Sequence, residues 1–285
     1  MIAALAAREG RVVGTIDFPG AFLNSDMPSE GDHEVLMRLN KYLSGILIGI
    51  DPSYIKYLNS NDTIIVRLKM ALFGCVESSK LWYDKISGDM CMLGFTINPY
   101  DICAFNRIEA CGSQTTCVIH VDDVMITCKD QKHLDMLIDS IELTYPGLTK
   151  YKDKVLNYLW MTFDFTATGK VKITVEGYIG ELHKGCEDLK GTAPTPAKAE
   201  LLQVKPGSSE PLLDDKQREK FHSITAQLLY LCKRVRPDIL TAVAFLTKRA
   251  TKPQPEDYNK LLRVIQYIRA NHDMGMYWRY GVRLR

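Results

Sequence analysis

The chain has 285 residues, of which 46% are hydrophobic and 25% are charged, and its formal net charge is only +2 at pH 7. This length and composition are typical of a globular protein with one large core or two modest ones. No run approaches the roughly 18 consecutive apolar residues of a membrane span. The apolar segment at the start of the chain is too short for a signal peptide and lacks its basic beginning. We therefore expect an intracellular protein. Its eight cysteines form no C-x-x-C pair, which argues against a zinc site and a disulfide framework.

The first hundred residues are predicted to form strands followed by a helix. Runs rich in β-branched residues predict strands at 11–17, 33–39 and 63–70. Asp17 ends the first of them, because a Pro-Gly pair follows almost at once. After residue 77, apolar residues at helical spacing predict a helix that ends at Gly94.

The most informative stretch is 115–128, where two apolar segments flank two adjacent aspartates. This pattern predicts a β-hairpin with Asp122 and Asp123 at its turn. Residues 131–145 carry Leu and Ile on one face and predict a helix. Because strands and helices alternate irregularly, the pattern favours an α+β fold over a regular βαβ repeat.

The last part of the chain is predicted to form a second hairpin and then helices only. Residues 158–165 and 170–175 predict two strands joined by a turn that contains Gly169. A stretch rich in Pro, Thr and polar residues at 192–212 predicts a linker, and helices are predicted at 215–234, 237–250 and 255–271. The expected domains are therefore 1–191 and 213–285, joined by that linker.

Charge is distributed unevenly along the chain. Residues 214–285 carry 15 Lys and Arg against 7 Asp and Glu, whereas residues 1–213 carry 21 against 27. A basic C-terminal region is suited to a polyanion. Lys and Arg that merely solvate amphipathic helices would give the same balance, so the charge alone names no partner.

Asp17, Asp122 and Asp123 form the candidate catalytic group. Two adjacent carboxylates between apolar arms repel each other unless a cation compensates them, and a third acid ends another strand. Such oxygen ligands suit two Mg²⁺ or Mn²⁺ ions, which favours phosphoryl transfer. A solvated Asp-Asp turn on the surface is the alternative. On these residues alone, a nuclease and a nucleotidyltransferase both remain compatible with the site.

Five motifs in a fixed order resemble the reverse transcriptase of copia-type (Pseudoviridae-like) LTR retrotransposons. They are TIDFPGAFLN at 15–24, LKMALFGCVESSKLWY at 68–83, HVDDVMIT at 120–127, YLWM at 158–161 and LLYLCKRVRPDILTAV at 228–243. The resemblance extends over nearly the whole chain. It implies an RNA-directed DNA polymerase fragment of a retrotransposon polyprotein, with a right-hand palm that includes the second hairpin, followed by a helical thumb or connection region.

The resemblance also implies roles for individual residues. Three carboxylates would hold two Mg²⁺ (or Mn²⁺) ions for nucleotidyl transfer from a dNTP to a primer 3′-hydroxyl: Asp17, Asp122 and Asp123. Phe22 stands where an aromatic ring excludes a ribose 2′-hydroxyl, while Phe73 and Gly74 stand at the nucleotide pocket. The aromatic residues of the helix that bears Trp82 are expected to be packing residues. Contacts with an RNA or DNA template-primer are implied for His120, Tyr158, Trp160, Lys233, Arg234 and Arg236.

The chain departs from the family pattern at several points. His120 stands where the family carries Tyr before the acidic pair, and Trp160 replaces a Gly in the primer-gripping hairpin. Because only 16 residues precede Asp17, the fingers that hold the triphosphate are expected to be largely missing, as are the RNase H, integrase and protease regions. These departures favour an alternative, a catalytically inactive retrotransposon relic that folds and binds nucleic acid. Either protein would act without a membrane, in a cytoplasmic virus-like particle or in the nucleus.

Overall fold

The computed structural model describes residues 1–28, 34–186, 190–203 and 212–279. The chain forms two compact units, one of Gly14–Tyr151 and one of Met1–Val13 together with Lys152–Arg285. Each unit combines helices with antiparallel strands, so the predicted α+β class is confirmed. The predicted linker at 192–212 does not coincide with the boundaries of these two units and lies partly outside the described residues. The predicted domain division stays a prediction.

The helices and strands of the described residues are as follows. The strands are β1 (Val12–Asp17), β2 (Leu36–Leu39), β3 (Ile64–Arg67), β4 (Thr96–Asn98), β5 (Asp101–Ile108), β6 (Gln114–His120), β7 (Asp123–Cys128), β8 (Thr149–Tyr151), β9 (Val155–Tyr158), β10 (Met161–Asp164), β11 (Lys170–Thr174) and β12 (Met276–Arg279). The helices are α1 (Ile2–Glu9), α2 (Lys41–Ile50), α3 (Ser78–Met92), α4 (Gln131–Thr144), α5 (Glu176–Lys184), α6 (Asp215–Arg234), α7 (Leu240–Arg249) and α8 (Pro255–Ala270).

The unit Gly14–Tyr151 is built on a six-stranded sheet with the strand order β4-β5-β6-β7-β1-β8. β7 and β1 are therefore neighbours inside the sheet, although several elements separate them in the chain. The predicted hairpin at 115–128 is confirmed as β6 and β7. Its register pairs His120 with Asp123, so the turn is formed by Val121 and Asp122 and not, as predicted, by Asp122 and Asp123. Both central strands bury apolar side chains, among them Ile16 and Ile126. Their adjacent ends carry the predicted acids.

Helix α4 packs against the middle of this sheet. Its buried residues lie on one face, as predicted: Leu134, Leu137, Ile138 and Ile141. A Cβ added to Gly14 on β1 would lie 3.0 Å from both terminal methyl carbons of Leu134. Gly14 therefore allows the helix to approach the strand that carries Asp17, which fixes the position of that strand.

A two-stranded antiparallel sheet of β2 and β3 belongs to the same unit. The strands predicted at 33–39 and 63–70 are confirmed over a shorter span, with residue 33 outside the described ranges. Next to this sheet, the Ala71 amide donates to the Ser25 carbonyl and the Met27 amide to the Lys69 carbonyl, each over 2.8 Å. This backbone pairing joins the segment after β1 to the segment before α3.

The other unit contains a four-stranded antiparallel sheet with the order β12-β11-β10-β9. Helix α1 packs on β11 and β12, and α6, α7 and α8 pack on one another. The helices predicted at 215–234 and 255–271 are confirmed, and the one predicted at 237–250 begins as a 3-10 turn, Pro237–Ile239. The expectation that only helices follow residue 215 was wrong, because β12 returns to supply the hydrogen-bonding partner for the free edge of β11.

The hairpin predicted from 158–165 and 170–175 is confirmed as β10 and β11. Its first strand is shorter than predicted, because the chain reverses at Leu159 and Trp160. Tyr158 on β9 is paired with Met161 on β10, which leaves those two residues as the turn. Both have positive φ, 50° and 61°, the pattern of a type I′ turn that Asn or Gly normally supplies. No such residue marks the turn in the sequence.

In the described ranges, no helix has both the length and the apolar character that crossing a membrane requires.

Candidate active site

The acidic turn, formed by Val121 and Asp122, lies in the six-stranded sheet between the end of β6 and the beginning of β7. Asp17 is the last residue of β1. The Phe18 amide donates a hydrogen bond to the Asp122 carbonyl oxygen over 3.0 Å. This bond ties the residue after Asp17 to the turn. The fold therefore brings together two segments that the sequence singled out separately.

The carboxyl group of Asp17 is electrostatically coupled to Asp122. Partial burial, followed by the negative charge of Asp122, raises the pKa of Asp17 above its ordinary value. Both effects oppose the ionised form of Asp17, and a cation beside the two carboxylates would offset both. A hard divalent cation prefers carboxylate oxygens. Asp17 and Asp122 therefore fit such an ion.

The third predicted metal ligand is Asp123, and it is not among the charges that raise the pKa of Asp17. Across the described parts of the chain, no three His, Cys, Asp or Glu side chains are grouped so that they could hold a metal ion together. Asp123 begins β7 on the far side of the turn, opposite His120. The assignment of Asp17, Asp122 and Asp123 as metal ligands stays a prediction, and the electrostatic coupling connects only Asp17 and Asp122.

Trp82 of α3 holds the same turn from outside the sheet. Its Nε1 atom donates a hydrogen bond to the Val121 carbonyl oxygen over 2.6 Å. The ring is only 2% exposed and packs edge-on against Phe18, with 5.3 Å between centroids, and against Tyr145, with 5.6 Å. The sequence predicts a packing role for this aromatic residue. Nothing in the local pattern indicates that its N–H reaches the acidic turn.

The predicted nucleotide-binding residues Phe22 and Phe73 lie side by side. Their ring centroids are 6.3 Å apart and the rings are tilted by 31°, because the pairing of 25–27 with 69–71 joins their segments. Phe73 is 86% exposed. Gly74 has a φ of 97°, a conformation that favours glycine, yet an added Cβ would meet nothing within 4 Å. Glycine therefore suits position 74 through its backbone conformation, and the place of Gly74 at the nucleotide pocket stays a prediction.

In the other unit, residues of the predicted primer and template surface surround the turn at Leu159 and Trp160. The Trp160 ring is 75% exposed. The Tyr230 hydroxyl of α6 donates to the Leu159 carbonyl over 2.7 Å, and the Arg234 guanidinium lies 5.5 Å from the Tyr230 ring centroid. We call Trp160, Tyr230 and Arg234 the aromatic ledge. Tyr230 was not singled out in the sequence, although it lies within the motif at 228–243.

Two of the predicted nucleic-acid contacts are wrong because the side chains are buried. Arg236 is fully buried and donates hydrogen bonds to the Asp238 carboxylate and to the Asn271 carbonyl. The Tyr158 side chain is 7% exposed and its ring lies 6.3 Å from that of Phe163. Both residues stabilise their surroundings. Two other predicted contacts are exposed and stay predictions: His120 and Lys233.

Comparisons with known proteins show which family and which individual proteins this chain is similar to. A family model described as Reverse transcriptase (RNA-dependent DNA polymerase) matches residues 1–196. The Retrovirus-related Pol polyproteins from transposons RE1 and RE2 of Arabidopsis thaliana are each 23% identical to this chain, over 217 and 219 residues and 76% of its length. The chain spans only 14% of the length of either polyprotein. A solved structure of telomerase from Candida albicans in complex with a TWJ fragment of telomeric RNA is similar at 12% identity, with a TM-score of 0.32 over 95% of this chain and 47% of that one.

Proposed function

The chain belongs to the copia-type retrotransposon branch of the reverse transcriptase (RNA-dependent DNA polymerase) family, and from this we propose that it contains the catalytic palm of such an enzyme. Its reaction would be RNA-directed DNA synthesis, in which a primer is extended by nucleotides taken from dNTPs. The larger sheet, with α3 and α4 packed on it, would be the palm, and α6 to α8 would correspond to a thumb or connection region.

The observation that carries this proposal is the coupling between Asp17 and Asp122. These carboxylates lie at the ends of two neighbouring strands, and burial together with the charge of Asp122 raises the pKa of Asp17. Two coupled carboxylates do not stabilise a fold by themselves. Perturbed acids of this kind cluster at functional sites, because a substrate or an ion relieves the repulsion there.

The chemistry follows from what these residues can hold. Two Mg²⁺ or Mn²⁺ ions, when bound, would supply positive charge at the attacking hydroxyl and at the leaving phosphate. Asp17 and Asp122 would hold them, with Asp123 as a third ligand. The primer 3′-hydroxyl would lose its proton to solvent water as its oxygen forms a bond to the α-phosphorus of the dNTP. The bond from that phosphorus to the oxygen that bridges it to the β-phosphorus would break, and pyrophosphate would leave. The contribution of the chain would be to hold these carboxylates in position before the substrates bind.

The Phe22–Phe73 pair is the proposed contact for the incoming nucleotide. Phe22 follows Asp17 by five residues, and the family resemblance implies that its ring meets the sugar of the nucleotide. A rigid ring admits deoxyribose and clashes with one additional oxygen. The exposed ring of Phe73 extends this apolar surface, and Gly74 turns the chain beside it.

The aromatic ledge is the proposed contact for the template-primer. An exposed ring such as that of Trp160 can stack on a nucleobase, whereas Arg234 and the neighbouring Lys233 can bind phosphates without regard to sequence. His120, at the base of the acidic turn, is a further proposed primer contact. Such binding weakens as salt is added, because counterions released from the nucleic acid drive it. We place this activity inside the cell, in a virus-like particle or the nucleus.

Primer extension tests the proposal directly. The chain is given an RNA template, a DNA primer and dNTPs with Mg²⁺ or Mn²⁺, and is compared with Asp122→Asn. We expect extension by the wild-type chain and a loss of at least ~100-fold in the variant, since a preorganised electrostatic group is removed. Asp26→Asn is the matched control, because Asp26 is an exposed acid of the same unit and should not affect the rate. Equal rates for all three proteins would reject the assigned site.

The alternative function is that of a retrotransposon relic that binds nucleic acid without catalysis. Two observations favour it: the absence of a three-residue metal group among the described side chains, and the bulky Trp160 at the primer-gripping turn. It predicts template binding without synthesis by either wild type or Asp122→Asn. Cleavage of the substrate in the absence of dNTPs would instead indicate a two-metal nuclease.

A further inference from the structure

We propose that Trp82 is a positioning residue for the acidic turn. Its indole N–H holds Val121 in a left-handed conformation and thereby determines where the Asp122 carboxylate lies. The catalytic consequence rests on the proposed function, whereas the structural effect on the turn does not. The two parts are therefore tested by different measurements.

The turn requires a restraint because its first residue has an unfavourable conformation. Val121 has a φ of 57°, and a β-branched residue at positive φ is a genuine outlier. Positive φ at only the first central residue of a two-residue hairpin is the pattern of a type II′ turn, where glycine normally stands. The Val121 side chain is 38% exposed, so its own packing does little to compensate. An interaction from outside the hairpin has to hold this conformation.

Trp82 supplies that interaction with the only hydrogen-bond donor of its side chain. The 2.6 Å bond from Nε1 ends on the Val121 carbonyl oxygen, and the ring is almost completely buried. If the turn moved, a buried donor would lose its partner, which is unfavourable. The ring itself is held by Phe18 and Tyr145, and the Tyr145 hydroxyl donates to Asp89 of the same helix α3.

Asp122 is fixed on both sides by these contacts. The peptide group before its Cα contains the Val121 carbonyl, which Trp82 binds, and the peptide group after it contains the Asp122 carbonyl, which accepts from the Phe18 amide over 3.0 Å. Both donors come from outside the hairpin. Two fixed peptide groups set the direction in which the Asp122 side chain leaves the backbone, and a displacement of about 1 Å at a reacting centre can reduce a rate ~100-fold.

A purely structural role for Trp82 is the competing explanation, and two substitutions separate it from positioning. Trp82→Phe keeps an aromatic ring between Phe18 and Tyr145 but removes the donor. Val121→Gly makes the left-handed conformation unstrained, because glycine adopts positive φ without a Cβ clash. If Trp82 acts by holding Val121, glycine at 121 should rescue Trp82→Phe. A packing defect would not be rescued.

Hydrogen exchange at the Phe18 amide measures the turn without any need for catalysis, because this amide is bonded to Asp122. We expect Trp82→Phe to speed its exchange about 10-fold, the effect of losing one ordinary hydrogen bond. The double variant should return to the rate of Val121→Gly alone. Tyr83→Phe is the matched control: it removes a donor one residue away on α3, which binds the Ile102 carbonyl over 2.9 Å, and should leave Phe18 unaffected.

Primer extension by the same four variants tests the catalytic part. We expect Trp82→Phe to lower kcat about 10-fold with little change in KM, and Val121→Gly to restore it to within about 2-fold. Unchanged Phe18 exchange in Trp82→Phe, or effects of the two substitutions that simply add, would overturn the proposal. Should Trp82→Phe not fold, an unprotected Trp82 indole N–H in the wild-type protein would overturn it equally. If the wild type makes no DNA, the proposed function fails, yet the exchange rates still decide the role of Trp82.

Discussion

The guanidinium of Arg236 forms a bidentate ion pair with Asp238, with Nε 3.0 Å from Oδ1 and Nη2 2.9 Å from Oδ2. Arg236 is fully buried, whereas the Asp238 side chain is 27% exposed. The remaining Nη1 donates to the Asn271 carbonyl over 2.8 Å, so the pair joins the connection between α6 and α7 to the end of α8. Burial alone would raise the pKa of Asp238, but the hydrogen bonds and charge of Arg236 outweigh it and lower that pKa.

Arg236→Ala should therefore destabilise the protein. The substitution leaves the Asp238 carboxylate and the Asn271 carbonyl without their buried donor, and we expect the free energy of unfolding to fall by about 2–4 kcal/mol. Urea denaturation measures this change. Lys233→Ala, an exposed cation in the last turn of α6, is the matched control and should change stability by less than about 0.5 kcal/mol. A loss below 1 kcal/mol for Arg236→Ala would mean that the buried pair contributes little.

Asp17→Asn should trade activity for stability. The raised pKa of Asp17 means that the folded protein holds this proton more tightly than the unfolded chain. The corresponding stability is fully present below the unfolded pKa of about 3.9 and is lost as pH rises through the folded pKa. At pH values above the folded pKa, and without divalent ions, the free energy of unfolding of Asp17→Asn should exceed that of wild type by roughly 0.5 kcal/mol. The variant should not extend a primer.

Urea denaturation of wild type and Asp17→Asn between acid and neutral pH checks this prediction. The stability difference should grow with pH and shrink again when Mg²⁺ is added, because an ion that binds only the folded wild type stabilises it. Asp26→Asn, the matched control, should not change the stabilisation of the folded protein by Mg²⁺. A difference that stays constant with pH would contradict the coupling between Asp17 and Asp122.

Phe22→Ala should relax the choice of sugar. Removing the ring opens space for the 2′-hydroxyl, so incorporation of ribonucleotides relative to deoxyribonucleotides should rise on the order of 100-fold. Competing single-nucleotide extension reactions measure the ratio. Phe73→Ala is the matched control, since it removes the neighbouring ring and should weaken dNTP binding without changing the ratio. Equal selectivity in wild type and Phe22→Ala would assign Phe22 to packing.

Trp160→Gly should separate backbone strain from ligand binding. Trp160 has a φ of 61° and a ring that is 75% exposed, so glycine relieves strain while little packing is lost. We expect stability to stay level or to rise by up to about 1 kcal/mol. Affinity for single-stranded template should fall about 10-fold, because one stacked base contributes on the order of 1–3 kcal/mol.

Leu159→Gly provides the control for the Trp160 substitution. It relieves the other strained residue of the same turn, where φ is 50°, and leaves the exposed ring in place. Fluorescence anisotropy with a labelled single strand should therefore show normal affinity for Leu159→Gly. Equal affinities for both variants and wild type would exclude Trp160 as a stacking surface.

Several features of this protein could be predicted from the sequence because they depend on neighbouring residues. Two apolar segments that flank Asp122 and Asp123 predicted the hairpin β6–β7, and one-sided apolar spacing predicted α4. The order of the motifs predicted the family. These signals are local, since side-chain periodicity reports directly on strand and helix geometry. The turn at Leu159 and Trp160 was missed because neither residue is typical of a type I′ turn.

Other features were decided only by the tertiary structure, because they depend on contacts between segments that are distant in the chain. The sequence by itself determined which residues are acidic, aromatic or basic. It predicted a nucleic-acid contact for Arg236, whereas the structure buries this side chain against Asp238 and the end of α8. Likewise, the pairing of β1 with β7 brought Asp17 to Asp122, and the packing of α3 brought the Trp82 donor to Val121. Periodicity cannot encode such relationships, because burial and hydrogen bonding across a fold depend on how whole elements pack.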